Sequence, residues 1–168
     1  MHIAPIALFV YNRPEHTRKT MEALSKNHLA KYSDVFVFSD GPKDAEAHRK
    51  VDEVRKYIKS IDGFRNIDMI EKDNNFGLAN SIISGVTEIV HRFGRVIVLE
   101  DDLVSSPHFL TFMNEALNVY EEVEKVASVH GYLYPVNRPM PETFFIRHAS
   151  SWGWATWKRS WDLFEKDG

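Results

Sequence analysis

The sequence predicts an α/β protein with an open, mainly parallel sheet and helices on both faces. Three observations lead there. Short apolar runs of strand length recur along the first three quarters of the chain, stretches with helical apolar spacing lie between them, and proline or glycine marks most junctions. Strands joined through helices run parallel, and a parallel sheet needs cover on both faces. At 168 residues, 43% of them apolar, the chain can build one domain with a real core.

The first run, residues 3–11, is closed by Asn12-Arg13-Pro14, where proline stops a strand and can open a helix. That helix runs through Met21 and Leu24 and ends near Asn27. A second strand, 35–38, stops at Ser39-Asp40-Gly41-Pro42. Val51, Val54, Ile58 and Ile61 then recur at helical spacing, so the charged run 46–59 reads as that helix's solvated face. A weaker strand, 67–70, leads to Asp73-Asn74-Asn75-Phe76-Gly77. Ala79, Ile82, Ile83, Val86, Ile89, Val90 and Phe93 mark a helix with a buried face, closed by Gly94. The strongest strand, 95–99, runs straight into Glu100-Asp101-Asp102. Pro107 opens a helix through Phe109, Leu110, Met113, Ala116, Leu117 and Tyr120, and 126–129 is a further strand. Beyond Gly131 the alternation breaks. Pro135, Pro139 and Pro141 punctuate a loop, 143–147 reads as a strand, and 150–164 is rich in tryptophan. Residues 1–131 therefore read as the α/β core, and 132–168 as an addition to the same domain.

Composition narrows the function. A formal net charge of −3 argues against a nucleic-acid binder, which carries a basic excess. The chain contains no cysteine, which removes disulfides, thiolate zinc sites and cysteine nucleophiles. The N-terminus lacks the pattern of a signal peptide, and no apolar run is long enough to span a bilayer. The expectation is a cytoplasmic protein without an integral membrane segment.

In an open parallel sheet, ligands bind outside the carboxyl ends of the strands. Here those ends carry Tyr11-Asn12-Arg13, Ser39-Asp40-Gly41 and Glu100-Asp101-Asp102. Any one of these polar groups can be a turn or helix-cap residue, and Asp40-Gly41 by itself is explained as well by a turn. The acidic triplet asks for more. Adjacent carboxylates at a buried strand end repel one another, and a divalent cation removes that penalty. Mg²⁺ or Mn²⁺ suits such a place, taking one or two carboxylates together with substrate phosphate oxygens. In strand geometry Glu100 and Asp102 point to one side and Asp101 to the other. Asp102 is therefore assigned as the metal ligand, with Glu100 or Asp101 holding a ribose or a metal-bound water. The plain alternative is an acidic turn capping the next helix. Asn74 to Gly77, ahead of a helix, can offer backbone N–H groups to a phosphate, although no Lys-Ser/Thr pair of a Walker loop follows. His130 and His148 fall near strand ends. His148 is a further candidate metal ligand, weighed against an ordinary loop histidine.

With these residues placed, the chain resembles GT-A-fold glycosyltransferases, nearest to the N-acetylglucosaminyltransferase I type, over nearly its whole length. The most specific segment is Val96-Ile97-Val98-Leu99-Glu100-Asp101-Asp102-Leu103, followed by Ser106-Pro107-His108-Phe109 and the helix through Phe112. It resembles that family's strand, metal motif and following helix. The resemblance implies a Rossmann-like nucleotide-diphospho-sugar transferase fold. It also implies metal-dependent transfer of a sugar from a nucleotide-sugar donor, foremost a UDP-sugar, to a glycan or saccharide acceptor in glycan biosynthesis, at the cytoplasmic membrane periphery. By the same resemblance Tyr11, Asn12, Arg13 and Asp40 grip the nucleotide, with Asp40 accepting from the uracil imide and Arg13 lying along base or phosphate. Glu100 reaches the ribose hydroxyls, Asp102 holds Mn²⁺ or Mg²⁺, and Asn75, Gly77 and Asn80 flank the donor, with Asp101 a further donor-side candidate.

The segment Ser150-Ser151-Trp152-Gly153-Trp154-Ala155-Thr156-Trp157 resembles the family's glycine-tryptophan stretch on the acceptor side. Indole faces stack well on sugar rings, so Trp152 and Trp154 are candidates for an acceptor platform, whereas Trp157 and Trp161 read as packing. The family's catalytic base in inverting members lies past this stretch, which here means beyond Gly168. Asp162 is the candidate within the chain, and a retaining enzyme needs no such base. Two other readings stand beside this one. A donor-binding unit without catalysis fits a base lying elsewhere. A sugar-phosphate nucleotidyltransferase calls for a glycine-rich first loop that Tyr11-Asn12-Arg13-Pro14 lacks.

Overall fold

The computed structural model describes residues 2–166. The apolar runs form strands and the periodic stretches form helices, in the order β1 (Ile6–Val10), α1 (Pro14–Ser25), β2 (Asp34–Ser39), α2 (Ala45–Ile58), β3 (Asn66–Glu71), α3 (Leu78–Phe93), β4 (Arg95–Glu100), α4 (Phe109–Val119), β5 (Ser128–His130), β6 (Trp154–Trp157) and α5 (Lys158–Trp161). The sheet order is β3-β2-β1-β4-β6-β5. The first four strands run parallel, and β6 lies antiparallel between β4 and β5. This is the open, mainly parallel α/β fold that the sequence predicts.

Local chemistry sets the element ends. Pro14 opens α1, where its missing N–H is no loss. Asp44 caps α2 by accepting from the Ala47 N–H at 2.8 Å. Gly94 ends α3 at φ 81°, a left-handed conformation that favours glycine.

The two-residue period of the strands divides the core. Ile6, Leu8, Val10, Val35, Val37, Ile97 and Leu99 face α1, α2 and α4, packing on Met21, Leu24, Val54, Ile58, Leu110, Met113 and Leu117. Ala7, Phe9, Phe36, Phe38, Val96 and Val98 face α3, packing on Val86, Ile89 and Val90. Helices therefore cover both faces. Among the described residues no helix is long and apolar enough to cross a membrane.

Five expectations need correction. Residues 143–147 form no strand, and 131–153 contain neither strand nor helix. The free edge of β5 is only three residues long, which offers little ladder to pair with, and three prolines interrupt the approach. Strand β5 itself starts at Ser128 rather than 126. Helix α4 starts at Phe109, with Pro107 and His108 in the turn before it. Ala79 is exposed, because the first turn of α3 carries no apolar cover. Most of the charged run on α2 is solvated, but Arg55 turns inward.

Helix α3 sits close to the sheet at Gly85, where a Cβ would fall 2.7 Å from the Phe9 ring and 3.1 Å from Phe38. These two rings are stacked at 5.0 Å and cannot both yield cheaply. Gly85→Val is expected to lower the unfolding free energy by roughly 2 kcal/mol through overpacking, as read by urea denaturation.

Candidate functional site

Parallel register brings the strand ends to one edge. Val10 pairs with Ser39 and Phe9 with Glu100, so Tyr11, Asp40 and Asp101 leave the sheet side by side. The Tyr11 N–H donates to Asp101 Oδ2 at 3.3 Å, and the Asp40 N–H donates to the Val10 carbonyl at 3.2 Å. Thr20 on α1 donates its hydroxyl to the Asp101 carbonyl at 2.9 Å, fixing the acidic turn to the helix below it. Nothing in the sequence marks Thr20, since one threonine in an amphipathic helix carries no signal.

The acidic turn is under electrostatic load. Asp101 is buried, Glu100 half-buried and Asp102 exposed. Burial, then the charges of Asp102 and Asp101, push the Glu100 carboxyl above its ordinary pKa. Burial likewise raises Asp101, opposed by the Tyr11 N–H and the Arg13 charge. Arg13 answers part of the load. Its Nη1 donates to Asp102 Oδ2 at 2.9 Å and lies 3.6 Å from Asp101 Oδ1. Among the described residues no three carboxylate or imidazole side chains converge on one point. A cation here would therefore take one or two carboxylates and complete its shell with substrate oxygens. That suits a hard, oxygen-preferring ion such as Mg²⁺ or Mn²⁺, so the residues fit the expected metal.

The ends of β2 and β3 carry a second polar network. Asp40 is buried, and both its oxygens are taken: Oδ1 by the N–H groups of Gly41 (3.0 Å) and Phe76 (2.9 Å), Oδ2 by the Gly77 N–H (2.9 Å) and Asn75 Nδ2 (3.1 Å). Arg55 donates to the carbonyls of Lys72 (2.7 Å), Ser39 and Asp40 (both 3.4 Å) and pairs with Glu71. Sequence reasoning missed Arg55, since an arginine within a charged run looks solvated. Tyr11 links the two networks, its hydroxyl accepting from the Lys43 N–H at 3.1 Å. Asn12 lies half-buried in the same turn.

The remaining candidates divide. Asn80, in the first turn of α3, donates to the Phe76 carbonyl and accepts from Lys166 Nζ. Trp152 is exposed and stands in an aromatic cluster with Tyr132 (4.8 Å between ring centres) and Tyr134 (5.3 Å). This cluster springs from the end of β5 and leads into Trp154 of β6, which pairs with Val98 near the end of β4. It therefore lies toward the carboxylate edge. The two tyrosines were not singled out from sequence, although a Tyr-x-Tyr directly after a strand end was the available signal. Trp154 is half-buried against the α3-side core, 5.9 Å from the Trp161 ring. Trp157 is buried, with its indole N–H donating to the Leu117 carbonyl, and Trp161 donates to Thr87; both serve packing, as expected.

His148 is exposed, and among the described residues it joins no metal-holding group with the carboxylates. His130 has Nε2 against Ser128 Oγ at 2.8 Å, while its buried Nδ1 has no hydrogen-bond partner among the described residues; burial pushes its pKa down. Asp162 is bound by Lys158 and by His91 at 2.9 Å, and these partners hold its carboxyl below the ordinary range. His91 lies in the last turn of α3, about 20 Å along the helix from the Asp40 network at 1.5 Å per residue. Asp162 is thus not brought to the site. Of two hollows, one of about 360 Å³ lies by Phe64 and Met69, and one of about 300 Å³ lies by Lys19 and Val104, in the segment that follows the acidic turn.

The fold is shared with known enzymes. The chain is similar in structure to the mannosyltransferase PcManGT from Pyrobaculum calidifontis in complex with GDP-Man and Mn²⁺, with a TM-score of 0.54 and 12% identity over 76% of this chain and 35% of that one. It is similar also to S. aureus TarS 1-349 in complex with UDP, with a TM-score of 0.55 and 15% identity over 89% of this chain and 46% of that one. No protein-family model matches the sequence, and no curated protein matches it. At such identity the likeness defines the fold, the GT-A type of nucleotide-diphospho-sugar glycosyltransferases, and the chain spans less than half the length of either neighbour.

Two outcomes follow from the acidic turn. Raised carboxyl pKa values mean that protons compete with a cation already above the usual carboxylate range. The melting-temperature rise given by Mn²⁺ is expected to be full near neutral pH and to fade as pH drops through the raised values of Glu100 and Asp101, measured by thermal shift across pH. The sign is consistent for the protein by itself, since carboxylates with raised pKa favour the fold at low pH and lose that contribution as pH rises through the shifted values. Arg13→Gln is expected to tighten binding of Mn²⁺ alone several-fold, by removing a competing cation, and to weaken binding of pyrophosphate. Calorimetric titration with each ligand reads both changes.

Proposed function

We propose that this chain is the donor-binding part of a metal-dependent glycosyltransferase, which moves a sugar from a nucleoside-diphosphate sugar to a hydroxyl of a glycan or saccharide. The observation that carries the reading is the acidic turn at the end of β4. Glu100 and Asp101 are driven toward their protonated forms beside the exposed Asp102, with Arg13 in reach, at the carboxyl edge of a parallel sheet. Such a site gains from a divalent cation and a bound diphosphate together. The complexes of the two structural neighbours with GDP-Man and Mn²⁺ and with UDP support the same direction. UDP is the first donor nucleotide to test.

In this reading Asp102 holds Mn²⁺ or Mg²⁺, which when bound stabilises charge on the departing diphosphate. Glu100 faces the ribose hydroxyls. Asp101 keeps the turn in shape through the Tyr11 N–H and the Thr20 hydroxyl. Arg13, released from Asp102, meets phosphate oxygens, a match its planar fork favours. Tyr11, Asn12, Asn75 and Asn80 border the donor. Trp152, with Tyr132 and Tyr134, offers exposed ring faces to an acceptor sugar, and Trp154 backs them from the sheet. Kinship with the N-acetylglucosaminyltransferase I type, and work at the cytoplasmic face of a membrane, belong to this proposal as well.

A second reading keeps donor binding and drops catalysis by this chain alone. It is favoured by Asp162, which sits far from the carboxylates with both oxygens engaged, leaving the described residues without a placed base. Titration with UDP and Mn²⁺, followed by assay of UDP-sugar hydrolysis and transfer, separates the two. Preference for a nucleoside triphosphate with a sugar phosphate would instead mark a nucleotidyltransferase.

Asp102→Ala is expected to cut Mn²⁺-dependent UDP affinity about 100-fold, roughly 3 kcal/mol, with an unchanged circular dichroism spectrum. Unaltered affinity in Mn²⁺ would remove Asp102 as the ligand.

A further inference from the structure

We propose that Arg55, on α2, is a positioning residue for the nucleoside half of the edge, acting through the backbone on either side of Asp40. The inference deepens the transferase reading and rests on it, with Asp40 and Asn75 on the nucleoside side of the donor. The Arg55 side chain is largely buried, at 15% exposed. Its fork reaches acceptors from two strand ends. Nε donates to Ser39 Oγ at 3.0 Å, and Nη2 to the Lys72 carbonyl at 2.7 Å, with the Ser39 and Asp40 carbonyls at 3.4 Å. Nη1 lies 3.2 Å from Glu71, which Lys59 also meets at 2.8 Å, so the inward charge is compensated. A lysine, a point charge without a planar fork, spans only part of this set.

These contacts set the direction of Asp40. A planar trans peptide turns its N–H away from its own C=O. With the carbonyls of Ser39 and Asp40 toward Arg55, the next two N–H groups point the other way. The Asp40 N–H goes to the Val10 carbonyl at 3.2 Å, and the Gly41 N–H to Asp40 Oδ1 at 3.0 Å. Both peptide planes flanking the Asp40 Cα are therefore held, which sets how its carboxylate leaves the strand end. The segment after β3 follows. At Gly41 a Cβ would fall 2.5 to 2.6 Å from the backbone of Asn74, so the two segments touch with no side chain between them. Asn75 Nδ2 then donates to Asp40 Oδ2 at 3.1 Å and to the Gly41 carbonyl at 3.0 Å. The acidic turn is held by other groups, Tyr11, Thr20 and Arg13, so the influence of Arg55 falls on the nucleoside half and spares the diphosphate half.

Arg55→Met removes the fork and the charge and keeps an apolar stem. Calorimetric titrations in Mn²⁺ use pyrophosphate and whichever of UDP and GDP wild-type protein binds more tightly, and amide hydrogen exchange is followed beside them. The nucleoside diphosphate is expected to bind about tenfold more weakly to Arg55→Met, with pyrophosphate affinity within about twofold of wild type. Exchange at Asp40 and Gly41 is expected to be about tenfold faster, with β4 amides still protected. A residue that only stabilises the fold weakens both ligands equally, and that result overturns the proposal. Undiminished nucleotide affinity overturns it too, whatever the exchange rates. A loss of nucleotide affinity with unchanged exchange at Asp40 and Gly41 refutes the route through the backbone. If Arg55→Met does not fold, Arg55→Lys decides in its place. A several-fold loss confined to the nucleoside diphosphate then supports the assignment, and an equal loss or none refutes it. Wild-type protein that binds neither nucleotide sinks the transferase reading and this role of Arg55 with it, a result read before any substitution is made.

Discussion

The structure turns on the cost of ending a fully buried central strand in three carboxylates. Strand β4 is covered on both faces, so Glu100 and Asp101 emerge where water is scarce and their charged forms are disfavoured. The fold answers with what its neighbours carry: the Tyr11 N–H from β1, the Thr20 hydroxyl from α1 and the Arg13 guanidinium from the turn between them. Part of the load remains uncompensated. Raised carboxyl pKa values at the edge where open parallel sheets bind ligands are what the proposed function builds on.

The second polar network is met by hydrogen bonds from within the protein. The Asp40 carboxylate accepts from the loop before α3 while Arg55 donates to the carbonyls of Ser39, Asp40 and Lys72, which ties the ends of β2 and β3 to that loop. The edge thus has one half under electrostatic load and one half whose hydrogen bonds are met within the fold. Tyr11 joins them, giving its backbone N–H to Asp101 and its hydroxyl to the Lys43 N–H. A displacement of the first strand end would therefore be felt on both sides.

The part after β5 extends the sheet in another way. Its excursion of residues 131–153 returns as β6, which slips antiparallel between β4 and β5 and brings Trp152 back toward the carboxylates. The exposed aromatic cluster of Tyr132, Tyr134 and Trp152 stands at this end of the sheet, and the proposed function assigns it to the acceptor sugar. The likeness to transferase folds persists at 12–15% identity because it rests on strand order and on where strand ends fall, which many sequences satisfy.

Sequence alone determined the alternation of strands and helices, the order of the first five strands along the chain, and the gathering of polar residues at strand ends. Apolar period and proline or glycine punctuation are local signals, strong in β4 and α3. The same signals failed at 143–147, because a run of β-formers becomes a strand only beside a long enough partner edge, and β5 offers three residues. They also misread Arg55 and left Asp40 open between turn residue and base contact. Whether a charged side chain faces water or a set of buried carbonyls depends on what packs over it from another element. That lies 15 to 37 residues away along the chain for these two, beyond the reach of any local pattern. Only the tertiary structure could decide that Asp40 is filled and Asp102 exposed, since burial and hydrogen-bond partners arise when distant strand ends meet.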